Sequence, residues 1–346
     1  MSATALMTRC LVHAQTGTLV ADEPLADARP HQMLVRTTRS LISVGTEMAY
    51  RVGGPNLKRT EGRSGYSAVG RIVEPAQQPC VSDVTGAGPG ATPFRAGDRI
   101  FCHMNHAAQF LWDTECPCYR VPDNITDLQA TFGAMGQIAM HMIERAQISI
   151  GRTVVVIGQG TVGQLVNQLA RRAGAGRVIG VDLSAPARAL ALQLGADAAI
   201  APDAEAIAVE LAKRLPGSAS PVFIEVTASS KALEWAIENA PLHARVVVTG
   251  TYAHNVTFDP FKAWILKELD IVGAHQPKCP QRQQTYTPHT QGNNLLQVYD
   301  MIAKKQLNVD ALVDAILTPA QAADFFNTAA AGQRSCRQPV INWETL

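Results

Sequence analysis

VVVIGQGTVGQLVNQLA, Val154–Ala170, carries Gly158, Gly160 and Gly163 in GxGxxG spacing. Glycine is common and the spacing is loose, so the pattern alone is weak. Its surroundings supply what it needs: an apolar run Thr153–Ile157 before it, a helix-patterned segment Thr161–Ala173 after it, and a second apolar run Arg177–Val181 closed by Asp182. Each glycine has a physical task there. Gly158 permits the tight strand-to-helix turn, Gly160 removes the Cβ that would block a pyrophosphate, and Gly163 lets helix and strand approach closely. Thr161 and Val162 open a helix whose N–H groups and partial positive charge suit phosphates. Asp182, with Leu183 beside it, is placed to accept hydrogen bonds from ribose hydroxyls and to repel a 2′-phosphate. That favours NAD, with NADP the less expected cofactor. Arg188 weakens that preference, or is a solvated helix residue.

Outward from this stretch the alternation continues. Ala187–Leu194 and Ser229–Asn239 read as helices. Val222–Val226, Arg245–Thr249 and Leu269–Gly273 read as buried strands. Repeated βαβ units imply a doubly wound parallel sheet. Upstream, Met33–Ser43, Ser67–Val73, Asp98–His103 and Ala107–Trp112 are short strand-like runs broken by turn residues, the texture of a small, partly open β-barrel. Pro79–Pro93 reads as a Gly- and Pro-rich surface loop. The expected division is a β-barrel domain over 1–126, a dinucleotide-binding domain over 127–275 that includes a helical link over 127–150, and a C-terminal return over 276–346. In that return Gln276–Asn294 reads as a polar loop, Leu295–Lys305 as a helix, and the rest as a short β-like tail.

Composition narrows the class. The chain has 346 residues, enough for two cores, with 47% hydrophobic and 17% charged residues and a formal net charge of +1. Lys and Arg are scattered, so no basic stripe points to nucleic acid. No apolar run reaches the roughly 18–20 residues that cross a bilayer, so no membrane partner is expected. Met1–Cys10 lacks the basic and apolar regions of a secretory signal, and the seven cysteines form an odd, dispersed set. A cytoplasmic protein with reduced thiols is the expectation.

Several further stretches stand in a fixed order: VGTE (Val44–Glu47), GYSAVGRIVE (Gly65–Glu74), GDRI (Gly97–Ile100), HAAQF (His106–Phe110), LGAD (Leu194–Asp197) and FKAWILKELDIVGAHQ (Phe261–Gln276). With the glycine fingerprint, this set resembles the medium-chain dehydrogenase/reductase superfamily over nearly the whole chain. The resemblance implies a GroES-like β-barrel catalytic domain beside a Rossmann doubly wound parallel sheet, an α/β architecture, and hydride transfer to or from a nicotinamide. In the zinc alcohol dehydrogenases of that superfamily, a Cys, a His–Glu pair and a third ligand hold the catalytic metal. Here Val44, Tyr66 and Ser67 occupy the first positions and the third falls near Gly133. None of these is a zinc ligand, so no catalytic zinc is expected. Tyr66 in place of His is also similar to a subgroup that includes bacteriochlorophyllide hydroxyethyl dehydrogenases, which fixes no substrate. Cys102, His103, His106, Cys116 and Cys118 lack the family's structural-zinc spacing. They read as an improvised metal site or, more simply, as buried thiols and structural histidines, with Cys116 and Cys118 on one face of a strand.

Without zinc, the oxygen of a carbonyl receiving hydride needs another donor. Tyr66 and Thr46 are the candidates. Thr46 matches the family hydroxyl that touches the substrate oxygen, and Glu47 matches the acid behind the metal, acting here as general base or as a buried structural acid. Gln137 lies on the helix that faces the nicotinamide in the family, with His141 a packed neighbour. Thr227, Thr249, Gly250 and Thr251 end strands and should edge the nicotinamide, while His275 and Gln276 are substrate candidates. His243, His254 and His289 carry no spacing signal. Lys278, Arg282, Tyr286 and His289 in the polar segment would favour a polyol- or sugar-like substrate if they roof a cleft, and are otherwise an exposed loop. The leading expectation is a zinc-independent, NAD-dependent oxidoreductase interconverting a secondary alcohol and a ketone. An NADPH-dependent quinone or enoyl reductase and a non-catalytic nucleotide-binding protein stay open. A small-molecule substrate and a homodimer formed through sheet edges near Val256–Phe261 complete the reading.

Overall fold

Thr153–Ile157 is buried at every position, as a strand covered on both faces must be. The computed structural model describes residues 6–59, 61–77, 94–281 and 289–345. It divides into two packed units, one within Met1–Val52, Arg59–Ala134 and Pro280–Leu346, the other within Gly53–Lys58 and Met135–Cys279.

In the first unit, β1 (Met7–Ala14) and β2 (Gly17–Pro24) form a hairpin that β3 (Gln32–Leu41) follows. Next come α1 (Val44–Val52), β4 (Gly62–Arg63), β5 (Ala68–Glu74), β6 (Arg99–Cys102), β7 (Gln109–Asp113), β8 (Cys118–Arg120) and α2 (Asp127–Ala130). A capping box between Thr126 and Gln129 starts α2. The expected loop at 79–93 lies outside the described residues.

The boundary between units falls inside α3 (Gly133–Ala146). The second unit then runs β9 (Thr153–Ile157), α4 (Thr161–Arg172), β10 (Arg177–Val181), α5 (Ala185–Gln193), β11 (Ala198–Ile200), α6 (Ala204–Ala212), β12 (Val222–Glu225), α7 (Ser230–Asn239), β13 (Arg245–Val248) and β14 (Asp270–Gly273). Its six strands pair in parallel in the order β11-β10-β9-β12-β13-β14. The order reverses at β9, where the glycine turn leaves the sheet. Val155, Ile179, Phe223 and Val246 carry the core beneath α6 and α7. The pair β11 and α6 escaped the sequence reading because AAI is too short and too alanine-rich to register as a strand.

The chain then returns to the first unit with α8 (Gln291–Ala303), β15 (Ala315–Leu317), α9 (Pro319–Ala330) and β16 (Pro339–Asn342). A seven-stranded sheet pairs β15-β16-β3-β5-β6-β8, with β7 also on β3, and β2-β1-β4 form a separate sheet. Two sequence expectations are corrected here. The tail is not merely β-like: Thr318 and Gln321 form a capping box with Pro319 in the first turn, and α9 buries Phe325 and Phe326. The helix expected from Leu295 also begins earlier, because Thr290 caps α8 at Gln291, while residues 282–288 of the expected polar loop lie outside the described residues. Among the described residues no helix is long and apolar enough to cross a membrane.

Candidate functional site

The glycine turn of the second unit obeys three separate steric rules. Gly158 has φ +97°, and a Cβ there would lie 2.5 Å from Thr227 Cγ2. A Cβ on Gly163 would lie 1.9 Å from the Gly158 carbonyl oxygen, so α4 meets the turn at backbone contact. At Gly160 an added Cβ meets nothing within 4 Å. Protein packing therefore demands glycine at 158 and 163 but not at 160. Open space stands where the motif expects a pyrophosphate, and Gly160 caps the helix of Thr161 and Val162 with no side chain across its end. These residues fit a dinucleotide.

Asp182 follows β10 and is fixed by backbone amides, its Oδ2 accepting from Gln159 N at 2.6 Å and its Oδ1 from Ser184 N at 2.7 Å. Each oxygen keeps a further lone pair for a ribose hydroxyl. Arg188 donates from Nη1 to the carbonyls of Asp182 (2.7 Å) and Leu183 (2.9 Å), so its cation belongs to the same corner. The Leu183 side chain is exposed. Behind the turn, buried Gln159 donates to Val156 O and accepts from Asn167, while Gln164 bridges Gln159 O and Ala187 O. This amide network locks the loop that presents the glycines.

Along the carboxyl edge of the same sheet, Thr249 donates to Ala274 O at 2.7 Å. Gly250 lies so near Ala228 that a Cβ would come within 2.4 Å of its backbone. Thr251 and His275 are exposed, Gln137 is fully buried on α3, and Gln276 has its Nε2 enclosed without a partner among the described residues. The edge also holds a residue the sequence reading missed. Glu225 ends β12 fully buried and accepts from Thr227 N at 2.6 Å, from Thr227 Oγ1 and from Tyr252 OH. Burial raises the Glu225 carboxyl above its usual range, opposed by the Thr227 and Tyr252 hydrogen bonds. The available signal was an acid interrupting VFIEV at the end of a buried strand.

In the first unit, α1 presents the VGTE residues. Tyr66 OH donates to Ser43 Oγ at 2.5 Å, and the Thr46 hydroxyl is a second hydrogen-bond partner of the phenol. Desolvation pushes the phenol up to about 12; the Ser43 and Thr46 bonds pull the other way and Glu47 adds to the rise. Glu47 is buried, accepting from Ser43 N at 2.7 Å through Oε1 and facing His106 Nε2 at 3.0 Å through Oε2. His106 Nδ1 meets Ser40 Oγ at 2.8 Å, and that hydroxyl also accepts from Trp343 Nε1. Gly65, with φ +99°, packs directly on the His106 ring. The structure thus brings Tyr66, Thr46 and Glu47 together around Ser43. The link through His106, a residue the sequence suggested as structural or as part of an improvised metal site, joins positions 59 apart in sequence and had no local signal.

The positions of the family's zinc ligands do not fit a metal. Val44 has no donor atom, Ser67 Oγ is spent on Thr131 O at 2.5 Å, Tyr66 holds a strongly bound proton, and Gly133 has no side chain. Among the described residues, Cys102, His103, His106, Cys116 and Cys118 do not gather as a metal cluster. Cys116 sits exposed in the turn before β8, not on the strand with Cys118. Arg282 and Tyr286 lie outside the described residues.

The chain is similar to known dehydrogenases, among them zinc-binding ones. A family model described as zinc-binding dehydrogenase matches residues 161–290. Sorbitol dehydrogenase of Rattus norvegicus is 28% identical over 246 residues, covering 70% of this chain and 62% of that protein. D-xylulose reductase A of Aspergillus niger is 27% identical over 342 residues, covering 90% of each. The crystal structure of galactitol-1-phosphate dehydrogenase from Escherichia coli shares the fold, with a TM-score of 0.77 at 16% identity over 96% of this chain and 99% of that one. These matches support the medium-chain dehydrogenase/reductase superfamily that the sequence resembles. The family match starts at Thr161 and so leaves out Val44, Tyr66, Ser67 and Gly133.

Proposed function

We propose that this chain is an NAD-dependent oxidoreductase that interconverts a polyol-like secondary alcohol and its ketone, without a zinc ion at the superfamily's catalytic position. The observation that carries the reading is the glycine turn, open at Gly160 and closed by the amide-held carboxylate of Asp182. The names of the relatives, sorbitol dehydrogenase and xylulose reductase, support the polyol class.

Bound NAD would accept hydride from the carbinol carbon. The Thr161 and Val162 end of α4 would hold the pyrophosphate and Asp182 the ribose hydroxyls, while Thr227, Thr249, Gly250 and Thr251 would edge the nicotinamide with Gln137. With substrate bound, Tyr66 would turn its single O–H from Ser43 Oγ to the substrate oxygen, with Thr46 orienting it. Its firmly held proton suits a donor that stabilises developing alkoxide in the ketone-reducing direction. Glu47, with both oxygens engaged, acts in this reading as a positioning residue that sets Ser43 and, through it, the phenol. His275 and Gln276 are proposed substrate contacts. We further propose a homodimer through β14, the outer strand of the parallel sheet, supported by exposed Phe261, Trp264, Ile265 and Leu266 just before it.

The test is NADH absorbance with a panel of polyols, sugars and secondary alcohols, on protein treated with a chelator. Formation of NADH from polyols is expected. Silence across the panel, with intact nucleotide binding, would favour a nucleotide-binding protein without this chemistry. A second reading rests on Arg188, whose guanidinium shares the Asp182 corner and suits a 2′-phosphate. NADPH binding more tightly than NADH, with reduction of quinones or enones, would favour it.

A further inference from the structure

We propose that His141, Glu144 and Cys279 form a binding site for a zinc-class divalent metal ion, separate from the superfamily's catalytic position and lying wholly within the second unit. His141 and Glu144 stand three apart on α3, so both side chains leave the same face of the helix. Cys279 ends the short 3-10 turn after β14, its position set by Cys279 N donating to Gln276 O at 2.8 Å and Lys278 N donating to His275 O at 2.8 Å. One imidazole nitrogen, one carboxylate oxygen and the thiol sulfur all lie within 4.8 Å of one another.

Those distances are close to what coordination needs. Zinc bonds of about 2.0–2.3 Å arranged tetrahedrally put ligand atoms roughly 3.3–3.7 Å apart. His141 Nδ1 and Glu144 Oε2 are already 3.2 Å apart. A small movement of side chains would complete three corners, with no change of backbone. The fourth corner would fall to water, because His141 and Glu144 keep some exposure while Cys279 is sealed.

The donor set chooses the kind of ion. A thiol beside imidazole and carboxylate suits zinc and other borderline-soft metals, and disfavours magnesium and calcium, which take oxygen ligands. Burial pushes the Cys279 thiol up to about 11, with the Glu144 carboxylate adding to the rise. Without metal the group is therefore a protonated thiol and not a reactive thiolate. A dication between the thiol and Glu144 reverses that balance, and the thiol proton leaves to solvent as the metal–sulfur bond forms. Such an ion would tie the C-terminal half of α3 to the segment that follows the last strand of the parallel sheet.

The experiment uses the full chain, reduced and stripped of metal, titrated with cobalt(II) and then zinc. The expected result is one tightly held ion per chain and a thiolate-to-cobalt charge-transfer band that zinc abolishes. Zinc should also raise the melting temperature. Cys279→Ser should lose the band, and Glu144→Gln and His141→Asn should each weaken retention at least tenfold. If Cys279→Ser melts with the wild type before metal is added, folding is not the cause. No retained ion in the wild type would overturn the proposal, as would a charge-transfer band that survives Cys279→Ser. Neither result bears on the polyol reading, whose assay is run with chelator present.

Discussion

Replacing Gly163 and Gly160 by alanine, one at a time, separates the two reasons for glycine in this turn. At Gly163 the added Cβ would sit 1.9 Å from the Gly158 carbonyl oxygen, against a practical lower limit of 3.0 Å, so α4 and the turn must part by about 1.1 Å. The obstacle is backbone, and Gly158 is itself pinned by its N–H to Val181 O at 2.8 Å. Within a helix, alanine for glycine gains about 1 kcal/mol. Overpacking against an immobile neighbour costs about 1–3 kcal/mol, and straining the Gly158 and Gln159 amide bonds costs roughly 1 kcal/mol each. The losses win, leaving a net destabilisation of about 3 kcal/mol and a melting temperature lower by roughly 6–12 °C. Gly160→Ala behaves oppositely. Its φ of −73° suits any residue and its Cβ meets no protein atom, so the apo protein should melt within about 2 °C of wild type. NADH affinity, read by nucleotide fluorescence, should fall at least about tenfold, or 1.4 kcal/mol, because the Cβ takes the pyrophosphate's place. An unchanged melting temperature for Gly163→Ala would refute the close-approach argument. Unchanged NADH affinity in Gly160→Ala would refute the placement of the pyrophosphate.

Three further outcomes are expected. Tyr66→Phe should lower turnover by about 10²-fold, the scale of losing one oxyanion donor, while NADH affinity stays within twofold; equal rates would remove the phenol from the reaction. Because folding raises the Tyr66 pKa to about 12, its contribution to stability is complete below about pH 10 and is lost as pH rises towards 12. Wild type should therefore lose stability over that window more steeply than Tyr66→Phe, as alkaline unfolding curves would show. Glu225→Ala strands the Thr227 amide and the Tyr252 hydroxyl and should cost about 2 kcal/mol, measured by urea unfolding, whereas Glu225→Gln should cost clearly less; equal losses would remove the hydrogen-bond argument.

The second unit was the more legible part of the chain. Its strands are buried on both faces, so TVVVI and RVIGV stand out as apolar runs, and the glycine turn between strand and helix has local steric causes that spacing preserves. The elements that escaped had weak local codes. The helix α9 was signalled by Thr318, Pro319 and Gln321 but its body, PAQAADFFNTAA, carries few large apolar residues, and β11 is only three residues long.

By itself the sequence determined the class of fold and the position of the glycine turn, and it shows that positions 44, 66, 67 and 133 hold none of the Cys, His, Asp or Glu side chains that zinc usually takes. Periodicity, glycine spacing and side-chain chemistry are properties of neighbours along the chain, and need no folding to be read. Tertiary structure alone decided which distant groups meet. It set Glu47 against His106, gave Tyr66 its hydroxyl partners, buried Glu225 beneath Tyr252, and drew Cys279 to His141 and Glu144. The physical reason is that strength of hydrogen bonding, proton affinity and metal affinity depend on separation and burial, and both are fixed only when strands far apart in sequence take their places in a sheet.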